Sequence, residues 1–276
     1  MKFSIITPSF NMLPYLKLCH NSVIDQNHSS FEHIIIDGNS NDNTKIWLKG
    51  KNLNFLSEND SGMYDALNKG LSMADGDIIS YLNCDEQYLP GTLNIIKKFF
   101  INNPAIDIVF GHALITKPDG SLICFRKAYQ PRKYYIMASH LYVLSCTMFF
   151  RRSILDQGFL FNPKYRSIGD MHFVLELLNN GFKAKYIEKY LSSFTWTGNN
   201  LSSNEVSKNE LFLINDSFPK WIHLLKKPIN FLRLTEKTLS GAYFTSKPLE
   251  YKIYVKEDPN KRNHFSFNNI DFRWPT

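Results

Sequence analysis

The sequence predicts an α/β protein, with a mostly parallel sheet flanked by helices. Three observations lead to this prediction: short apolar runs alternate with helical patterns over the first hundred residues, the connections are short, and polar clusters follow the apolar runs. The 276 residues, 43% of them hydrophobic and 21% charged, are enough for one large core. This composition excludes a collagen, a disordered chain and a disulfide scaffold, but it fits enzymes and binding proteins alike.

Four apolar runs in the first hundred residues are predicted to be strands. Three of them are rich in β-branched or aromatic residues and stop at Pro8, at the polar cluster that begins with Asp37, and at Asn83. The fourth run is short and has the weakest pattern. The predicted strands are residues 3–7, 31–36, 54–56 and 78–82.

Helical patterns separate these strands. Apolar residues recur at near-helical intervals from Leu13 to Ile24, which predicts a helix over residues 12–25. A second helix is predicted over residues 63–73, directly after a Ser-Gly pair. A third is predicted over residues 90–100, where a proline stands at an early helical position. Strands that alternate with helices predict a parallel sheet, because a parallel crossover needs a connection of about helix length.

The rest of the chain has a less regular pattern. The turn sequence Pro-Asp-Gly at residues 118–120 predicts a β-hairpin around it. Beyond about residue 205 the pattern becomes helical and basic, so we predict a main domain over residues 1–205 and a small helical C-terminal extension over residues 206–276. The other predicted elements are strands over residues 106–116, 121–125 and 146–150 and a helix over residues 169–180.

Charge is distributed unevenly along the chain. The whole chain carries +7, but residues 1–110 carry −4, residues 111–204 carry +7 and residues 205–276 carry +4. An acidic first part followed by basic parts can bring a cation and a polyanionic ligand into one cleft. A solvated basic surface explains most individual Lys and Arg residues equally well.

The four cysteines give no sign of a disulfide framework or a zinc site. They lie far apart without metal-ligand spacing, so we expect reduced thiols in a cytoplasmic protein. No stretch approaches 18 uninterrupted apolar residues, and no transmembrane helix is predicted. Residues 220–234 mix apolar and basic side chains, which is typical of an amphipathic segment on anionic lipid, although packing against the main domain is an equal alternative.

Three loops follow strands at the place where open α/β sheets bind ligands, which is beyond the carboxyl ends of the strands. These loops are residues 8–11, 37–43 and 83–86. A carboxylate there, such as Asp37 or Asp85, can hold Mg²⁺ or Mn²⁺, because such a cation takes one or two protein carboxylates and adds water and phosphate oxygens. A single Asp after a strand is more often a turn former, but two such loops on neighbouring strands favour a ligand site.

Six segments, in order over most of residues 1–200, resemble the family 2 inverting glycosyltransferases of the GT-A type. The segment SENDSGMYDALNKG is most similar to the branch that builds bacterial exopolysaccharide and lipopolysaccharide O-chains. The resembling segments are SIITPSFN (4–11), IIIDGNSNDNT (34–44), SENDSGMYDALNKGLSMADGDIISYLNCDEQY (57–88), CTMFFRRSIL (146–155), YRSIGDMHFVLELLNNG (165–181) and SFTWTGNNLS (193–202).

The resemblance implies a nucleotide-sugar site in residues 1–110 and an acceptor half in residues 111–205. Asp37 would accept a hydrogen bond from the base. The other positions implied in donor binding are Pro8, Ser9 and Phe10 around the base, Asp60 and Lys69 near the nucleotide and its phosphates, and Asn83 and Asp85 of the DxD-type motif.

The resemblance also implies the chemical roles. Asp85 would ligate a divalent cation, Mn²⁺ or Mg²⁺, and Asp170 would be the general base that takes the proton of the acceptor hydroxyl. The expected reaction is inverting sugar transfer from a nucleotide-diphosphate donor, a UDP-sugar first of all, to a saccharide hydroxyl. The acceptor is expected on lipid at the inner face of the cytoplasmic membrane, with the enzyme bound there peripherally and without nucleic acid as a partner.

The sequence departs from the family pattern at several motif positions. Asn83 stands at the first DxD position, which leaves Asp85 as the main metal ligand, and Leu67 stands where many relatives have Arg. His172 replaces a second acidic residue after Asp170. Without the resemblance, Asp170 is more typical of a carboxylate at a helix N-terminus than of a base.

Other functions remain open at this point. A nucleotidyltransferase would need a Gly-rich basic loop after the first strand, and SFNMLPYLK does not supply one. The pI of 9.1 and the 14% aromatic content also occur in nucleic-acid-binding modules, and the motif departures fit an inactive sugar-nucleotide-binding protein. Arg151 and Arg152 are equally compatible with a clamp for phosphate or an anionic acceptor and with a solvated helix start.

Overall fold

The computed structural model describes residues 1–198 and 205–274, so the end of the sixth segment, residues 199–202, lies outside the described part. The strands are β1 (Phe3–Ser9), β2 (Phe31–Asp37), β3 (Asn54–Ser57), β4 (Ile78–Tyr81), β5 (Glu86–Tyr88), β6 (Ile108–Thr116), β7 (Leu122–Arg126), β8 (Phe149–Arg151), β9 (Ala184–Thr195), β10 (Leu249–Val255) and β11 (Asp258–Phe267). The α-helices are α1 (Leu13–Ile24), α2 (Thr44–Lys49), α3 (Met63–Met73), α4 (Thr92–Asn102), α5 (Lys133–Ala138), α6 (Ser153–Asp156), α7 (Gly169–Asn179), α8 (Glu205–Asp216), α9 (Lys220–Leu224) and α10 (Lys226–Leu239).

One sheet of nine strands carries the fold, in the order β3-β2-β1-β4-β8-β6-β9-β5, with β7 paired to β6. The first four strands of the chain pair in parallel, as predicted. Their register sets Ser9 opposite Asp37 and Asp37 opposite Ser57, so the carboxyl ends of these strands lie at one edge. Helices flank the sheet, which confirms the predicted α/β class.

The second half of the sheet mixes directions. Strand β8 is antiparallel to β4 and β6, whereas β9 runs parallel to β6 and then pairs with the short strand β5. The predicted strand over residues 146–150 is shorter than expected, because Ser145–Thr147 form a 3₁₀ turn. The Thr147 hydroxyl donates to the carbonyl of Leu144 at 2.7 Å, which closes that turn.

Both faces of the sheet are covered, as the continuous apolar runs of its parallel strands require. Phe3 and Ile5 of β1 pack into one core cluster, and Ile6 packs into another. Helix α3 approaches β1 so closely that a Cβ added to Gly70 would lie 2.4 Å from Ile6 Cγ2. This contact fixes the distance between α3 and the sheet.

The C-terminal segment differs in part from the helical prediction. Helices α8 to α10 are present, but β10 and β11 form an antiparallel hairpin. Leu249, Tyr251 and Ile253 are buried while Glu250 and Lys252 are exposed, and this period of two is the pattern of a strand. The division at residue 205 stays a prediction. Within the described residues, every helix is too short or too polar to cross a membrane.

Candidate active site

The first two strand-end loops are held by the side chain of Asp37. Its fully buried carboxylate accepts hydrogen bonds from the Ser57 hydroxyl at 2.7 Å and from the backbone N–H of Ser40 at 3.2 Å. The N–H of Gly38 donates to the carbonyl of Ser9 at 2.8 Å. The structure therefore shows Asp37 holding its own loop, and its expected contact with a base stays a prediction.

The loop after β1 and the loop after β2 bind each other. Asn11, in the left-handed region with φ of 52°, accepts the N–H of Asn41 at 2.9 Å and donates its own N–H to the Ser40 hydroxyl at 2.8 Å. Asp42 accepts the N–H of Leu13 at 2.8 Å, at the start of α1. The two loops thus form one preorganised unit at the edge of the sheet.

Two of the predicted donor-site residues, Phe10 and Asp60, meet around Gly38. A Cβ at this glycine would lie 2.7 Å from Asp60 Oδ2 and 3.4 Å from Phe10 Cδ2, so only glycine fits here without displacing them. The Phe10 ring is 62% exposed, and such a ring can stack against a nucleotide base. Asp60 Oδ1 accepts the N–H of Gly62 at 2.9 Å, at the start of α3.

Lys69 lies near Asp60, but its ammonium group already has partners. Its Nζ is 2.8 Å from Glu58 Oε1 and donates to the carbonyl of Asn59 at 2.8 Å. The hydrogen bond to Glu58 is the main reason that the pKa of Lys69 is raised. A second cation, Arg166, which the sequence did not single out, has its guanidinium against Gly62.

A contact of Cys84 links the turn over residues 83–86 to the end of β1. The Cys84 Sγ lies 3.1 Å from the carbonyl oxygen of Pro8. Glu86 is buried and accepts the N–H of Asn83 at 2.7 Å. Burial, and then the charge of Asp85, raise the pKa of Glu86 to about 8. Asp85 itself is only half-buried, so of these two carboxylates it is the one placed to meet a ligand.

The residues of this turn fit a divalent cation that is shared with a phosphate ligand. Among residues 1–198 and 205–274, no cluster of three or more His, Cys, Asp or Glu side chains could hold a metal by itself. Asn83 Oδ1, two residues before Asp85, is buried without a hydrogen-bond partner in the same described part. One carboxylate and one amide oxygen are a donor set that Mg²⁺ or Mn²⁺ accepts when phosphate and water complete the shell.

Asp170 lies in the first turn of α7, as predicted. Its N–H donates to the Tyr64 hydroxyl at 3.1 Å, this hydroxyl lies 3.4 Å from Asp170 Oδ1, and the N–H of Met171 donates to Oδ1 at 2.8 Å. Burial raises the pKa of the Asp170 carboxyl, and the hydrogen bonds partly oppose that rise. The charge of Asp170 also raises the pKa of Glu86, although less than burial and the charge of Asp85 do.

The loop before α7 is held from the C-terminal segment. The buried carboxylate of Glu210, in α8, accepts the backbone N–H groups of Arg166 at 2.6 Å, Ser167 at 2.9 Å and Ile168 at 3.2 Å. Neither Glu210 nor Tyr64 was singled out from the sequence. No local pattern could have revealed them, because they contact residues more than 40 positions away.

The two arginines after β8 do not serve this site. Arg151 donates to the carbonyl oxygens of Ile106 at 2.8 Å and Phe100 at 3.2 Å, and Arg152 donates to that of Ala74 at 2.5 Å. Strand β8 is antiparallel to β4, so Arg151 lies opposite Ile78, at the amino end of β4. Both side chains therefore brace the opposite edge of the sheet, and the clamp hypothesis is wrong.

A cavity of about 570 Å³ lies between α5, α7 and α9. Its α7 lining is His172, Leu175, Glu176 and Asn179, a stripe of one helix face. At 100° per residue this stripe is turned away from Asp170. The cavity is therefore separate from the strand-end site.

Known proteins resemble the chain over most of its length. The sequence profile described as "Glycosyl transferase family 2" matches residues 4–159, more than half of the chain. TuaG of Bacillus subtilis, named for teichuronic acid biosynthesis, is 28% identical over 209 residues, which are 73% of this chain and 82% of TuaG. A PGL/p-HBAD biosynthesis glycosyltransferase of Mycobacterium bovis is 26% identical, over 76% of this chain and 82% of the relative.

Solved structures agree with the fold. S. aureus TarS 1-349 in complex with UDP-GlcNAc has a TM-score of 0.59 and 21% identity, over 87% of this chain and 73% of that chain. The chain spans 60% of a longer TarS structure. The mannosyltransferase PcManGT of Pyrobaculum calidifontis, in complex with GDP-Man and Mn²⁺, has a TM-score of 0.57 and 15% identity, over 89% of this chain and 76% of that chain. The chain therefore belongs to glycosyl transferase family 2, it has the GT-A type of fold predicted from its sequence, and it is a glycosyltransferase.

Proposed function

We propose that the chain is a metal-dependent inverting glycosyltransferase that moves a sugar from a nucleotide-diphosphate donor to a saccharide hydroxyl. The observation that carries this proposal is the placement of Asp85, half-buried in the turn after β4, and of Asp170, in the first turn of α7. Asp170 is held by the Tyr64 hydroxyl, the Tyr64 ring stacks on Phe161, and Phe161 packs edge-on against Tyr81 at the end of β4. Packed side chains thus link the proposed base to the strand that leads into the Asp85 turn. Inverting transfer needs a leaving-group site and a base on opposite sides of the reacting carbon.

The donor end is assigned to the preorganised edge. The Phe10 ring would stack on the base, Pro8 and Ser9 would line the pocket around it, and Asp60 would lie near the nucleotide and its phosphates. Asp85 with Asn83 Oδ1 would hold the divalent cation. A cation bound there supplies Lewis-acid stabilisation of the charge that develops on the leaving diphosphate. Lys69, beside Glu58, and Arg166, beside Gly62, add positive charge near the proposed donor site.

The acceptor end is assigned to Asp170. The acceptor oxygen forms a bond to the anomeric carbon, the bond from that carbon to the diphosphate oxygen breaks, and the hydroxyl proton moves to the Asp170 carboxylate. A base works best when its pKa is near the operating pH. Burial raises the pKa of Asp170 in that direction.

A UDP-sugar is the proposed donor, and a polysaccharide precursor on lipid is the proposed acceptor. The TarS structure that resembles this chain holds UDP-GlcNAc, and TuaG is named for teichuronic acid biosynthesis. The PcManGT structure holds GDP-Man, so GDP-sugars are the second choice.

A lipid-linked acceptor requires the enzyme to reach a membrane, and α10 supplies a surface for this. The helix turns a polar stripe toward the protein, where Arg233 donates to the Tyr129 hydroxyl at 3.0 Å and Glu236 pairs with Arg132 at 2.8 Å. Its apolar side chains point outward instead. The apolar side chains of residues 220–239 that are at least 43% exposed are Trp221, Leu224, Leu225, Phe231, Leu232, Leu234 and Leu239.

This outward apolar face is proposed to rest on an anionic lipid surface. Lys220, Lys226 and Lys227 are exposed around it, and basic residues that flank an apolar face favour anionic lipid. The probe is co-sedimentation with vesicles of phosphatidylcholine, with and without phosphatidylglycerol. Binding is expected only with phosphatidylglycerol, weaker at high salt, and reduced at least about tenfold in Phe231→Ser/Leu239→Ser.

The control is Ile101→Ser, which removes an exposed apolar residue of α4 and should bind like the wild type. If sedimentation equilibrium without lipid instead shows a dimer that the double variant abolishes, a second copy covers this face and the membrane proposal fails.

The catalytic proposal is tested by nucleotide release from UDP-GlcNAc, UDP-glucose, UDP-galactose and GDP-mannose, each with and without Mn²⁺. Water can replace the acceptor, so slow hydrolysis is expected for one donor, and proton NMR should show inverted configuration in the first product. Asp85→Ala should abolish the Mn²⁺-dependent release, and Asp170→Asn should lower it about 10²–10⁴-fold. A chain that binds a nucleotide but releases nothing, with or without Asp170, would be the inactive binding protein instead.

A further inference from the structure

Three consecutive backbone N–H groups before α7 converge on one carboxylate. Glu210 Oε1 accepts from Arg166, and Oε2 accepts from Ser167 and Ile168. Hydrogen bonds from N–H groups to an ionised acceptor are stronger than those to a neutral one. This contact joins α8 to the segment that leads directly into Asp170.

The N-cap residue of helix α7 supplies no side-chain cap. Ile168 is its N-cap residue, and an aliphatic side chain cannot accept the N–H groups that a helix start leaves unpaired. Glu210 takes the N–H of Ile168, the Tyr64 hydroxyl takes that of Asp170, and Asp170 Oδ1 takes that of Met171. The first turn of α7 is thus capped from two other helices.

The buried face of α8 is built around this contact. Its buried residues are Ser207, Glu210 and Ile214, spaced three and four apart on one side of the helix. Ile214 packs into the same core cluster as Ile168 and Met171. A buried carboxylate is destabilising unless it is paired or hydrogen-bonded, and here three N–H groups compensate it.

We propose that Glu210 is a positioning residue for sugar transfer, which sets the orientation of the first turn of α7 and so the place of the Asp170 carboxylate. The inference rests on the proposed role of Asp170 as the base. It makes the C-terminal segment part of the catalytic apparatus, although Glu210 lies beyond residues 4–159, which match the family profile.

The size of the effect follows from geometry. Moving a catalytic group by about 1 Å can lower the rate about 10²-fold. Glu210→Ala should therefore lower kcat about 10²-fold and change the donor KM much less, because Arg166 is the one proposed donor-site residue in the loop that Glu210 holds. Glu210→Gln keeps an amide oxygen as acceptor, so it should recover a large part of that loss.

The experiment combines two readouts on the full chain. Steady-state release of nucleotide from the UDP-sugar that the wild type turns over gives kcat and KM, and amide hydrogen exchange reports on residues 166–168 without substrate. Glu210→Ala should speed exchange of these three amides at least about tenfold and leave the amides of β1 unchanged. Asp216→Asn removes an exposed carboxylate from the same helix and is the matched control.

The outcomes separate the possible failures. Unchanged exchange in both Glu210 variants, or faster exchange with unchanged kcat, would overturn the positioning role. If Glu210→Ala does not fold, Glu210→Gln decides. A positioning role predicts a kcat below the wild type together with faster exchange of the amides of residues 166–168, whereas a role limited to stability predicts wild-type kcat in the folded fraction. If the wild type turns over no donor at all, the proposed function fails first, the inference falls with it, and faster exchange would then report only a structural cap.

Discussion

The loops after β1 and β2 form the edge of the sheet to which the donor is assigned, called here the donor edge. This edge and the start of α7 are held in place by different contacts. At the donor edge, Asn11 and Asp42 bind partners in the facing loop about 30 residues away, at the ends of paired strands. Asp170, in contrast, depends on Tyr64, 106 residues earlier, and on the loop held by Glu210. The donor edge is a product of strand register, whereas the base is placed by helices that meet only in the folded chain.

This difference predicts different responses to mutation. Changes at the donor edge should act on nucleotide binding, since the loops there form one unit. Changes around α7 should act on kcat, since they move the Asp170 carboxylate or change its pKa.

The largest effect is expected for Asp170→Asn. General-base catalysis contributes about 10²–10⁴-fold, so kcat for sugar transfer should fall by about that factor while the donor KM changes little. Steady-state kinetics of nucleotide release measures both. A loss of less than about tenfold would remove Asp170 as the base.

Tyr64→Phe should change the pH dependence of the reaction. The Tyr64 hydrogen bond lowers the pKa of the Asp170 carboxyl, against the rise that burial causes. Without it, that pKa rises further, so Asp170 is deprotonated only at higher pH and the acid limb of kcat shifts upward. Ser57→Ala, which removes a hydrogen bond to Asp37 at the donor edge, should leave the acid limb of the kcat profile unchanged. An equal shift of that limb in both variants would contradict the separation of the donor edge from the base.

Gly169→Ala and Gly70→Ala form a matched pair of helix glycines. An added Cβ would lie 2.6 Å from the Tyr64 ring at Gly169 and 2.4 Å from Ile6 Cγ2 at Gly70. Overpacking costs about 1–3 kcal/mol, so both should lower the free energy of unfolding in urea. Gly169→Ala should lower kcat more than Gly70→Ala, and the reverse order would mean that the Tyr64 contact does not place the base.

The smallest effect is expected for Asn11→Ala. It loses the hydrogen bond from Asn41 and places alanine at φ of 52°, which together should cost about 1–3 kcal/mol of stability. The donor KM should rise severalfold while kcat stays the same. A fall in kcat with unchanged KM would show that the two regions are not separate.

Much of the fold, and the strand-end loops of the candidate site, could be predicted from the sequence. The parallel strands, α1 and α3 were predicted because apolar period, turn residues and short connections agree there. The loops after them were found because polar residues at strand ends meet in space whatever the tertiary detail. The segment from Asn83 to Asp85 belongs to this class.

The supports of Asp170 could not be predicted in the same way. Tyr64 lies among the apolar residues of an ordinary helix, and Glu210 lies in a helix of mixed composition, where a charge normally indicates a solvated face. Their roles arise from packing between elements that are distant in sequence. The β10–β11 hairpin was missed because the basic composition of the segment concealed its period of two.

The central claim is that the Asp85 turn and the donor edge form a metal-dependent nucleotide site. Thermal unfolding against UDP, GDP, CDP and dTDP, each with and without Mn²⁺, tests it most directly in the wild type and in Asp85→Ala. A ligand at about 100 times its dissociation constant adds about 2.7 kcal/mol of stability, a shift of several degrees for a chain of this size. We expect that shift with UDP, only with Mn²⁺ and only in the wild type. No shift with any diphosphate, or the same shift in Asp85→Ala, would contradict the assignment.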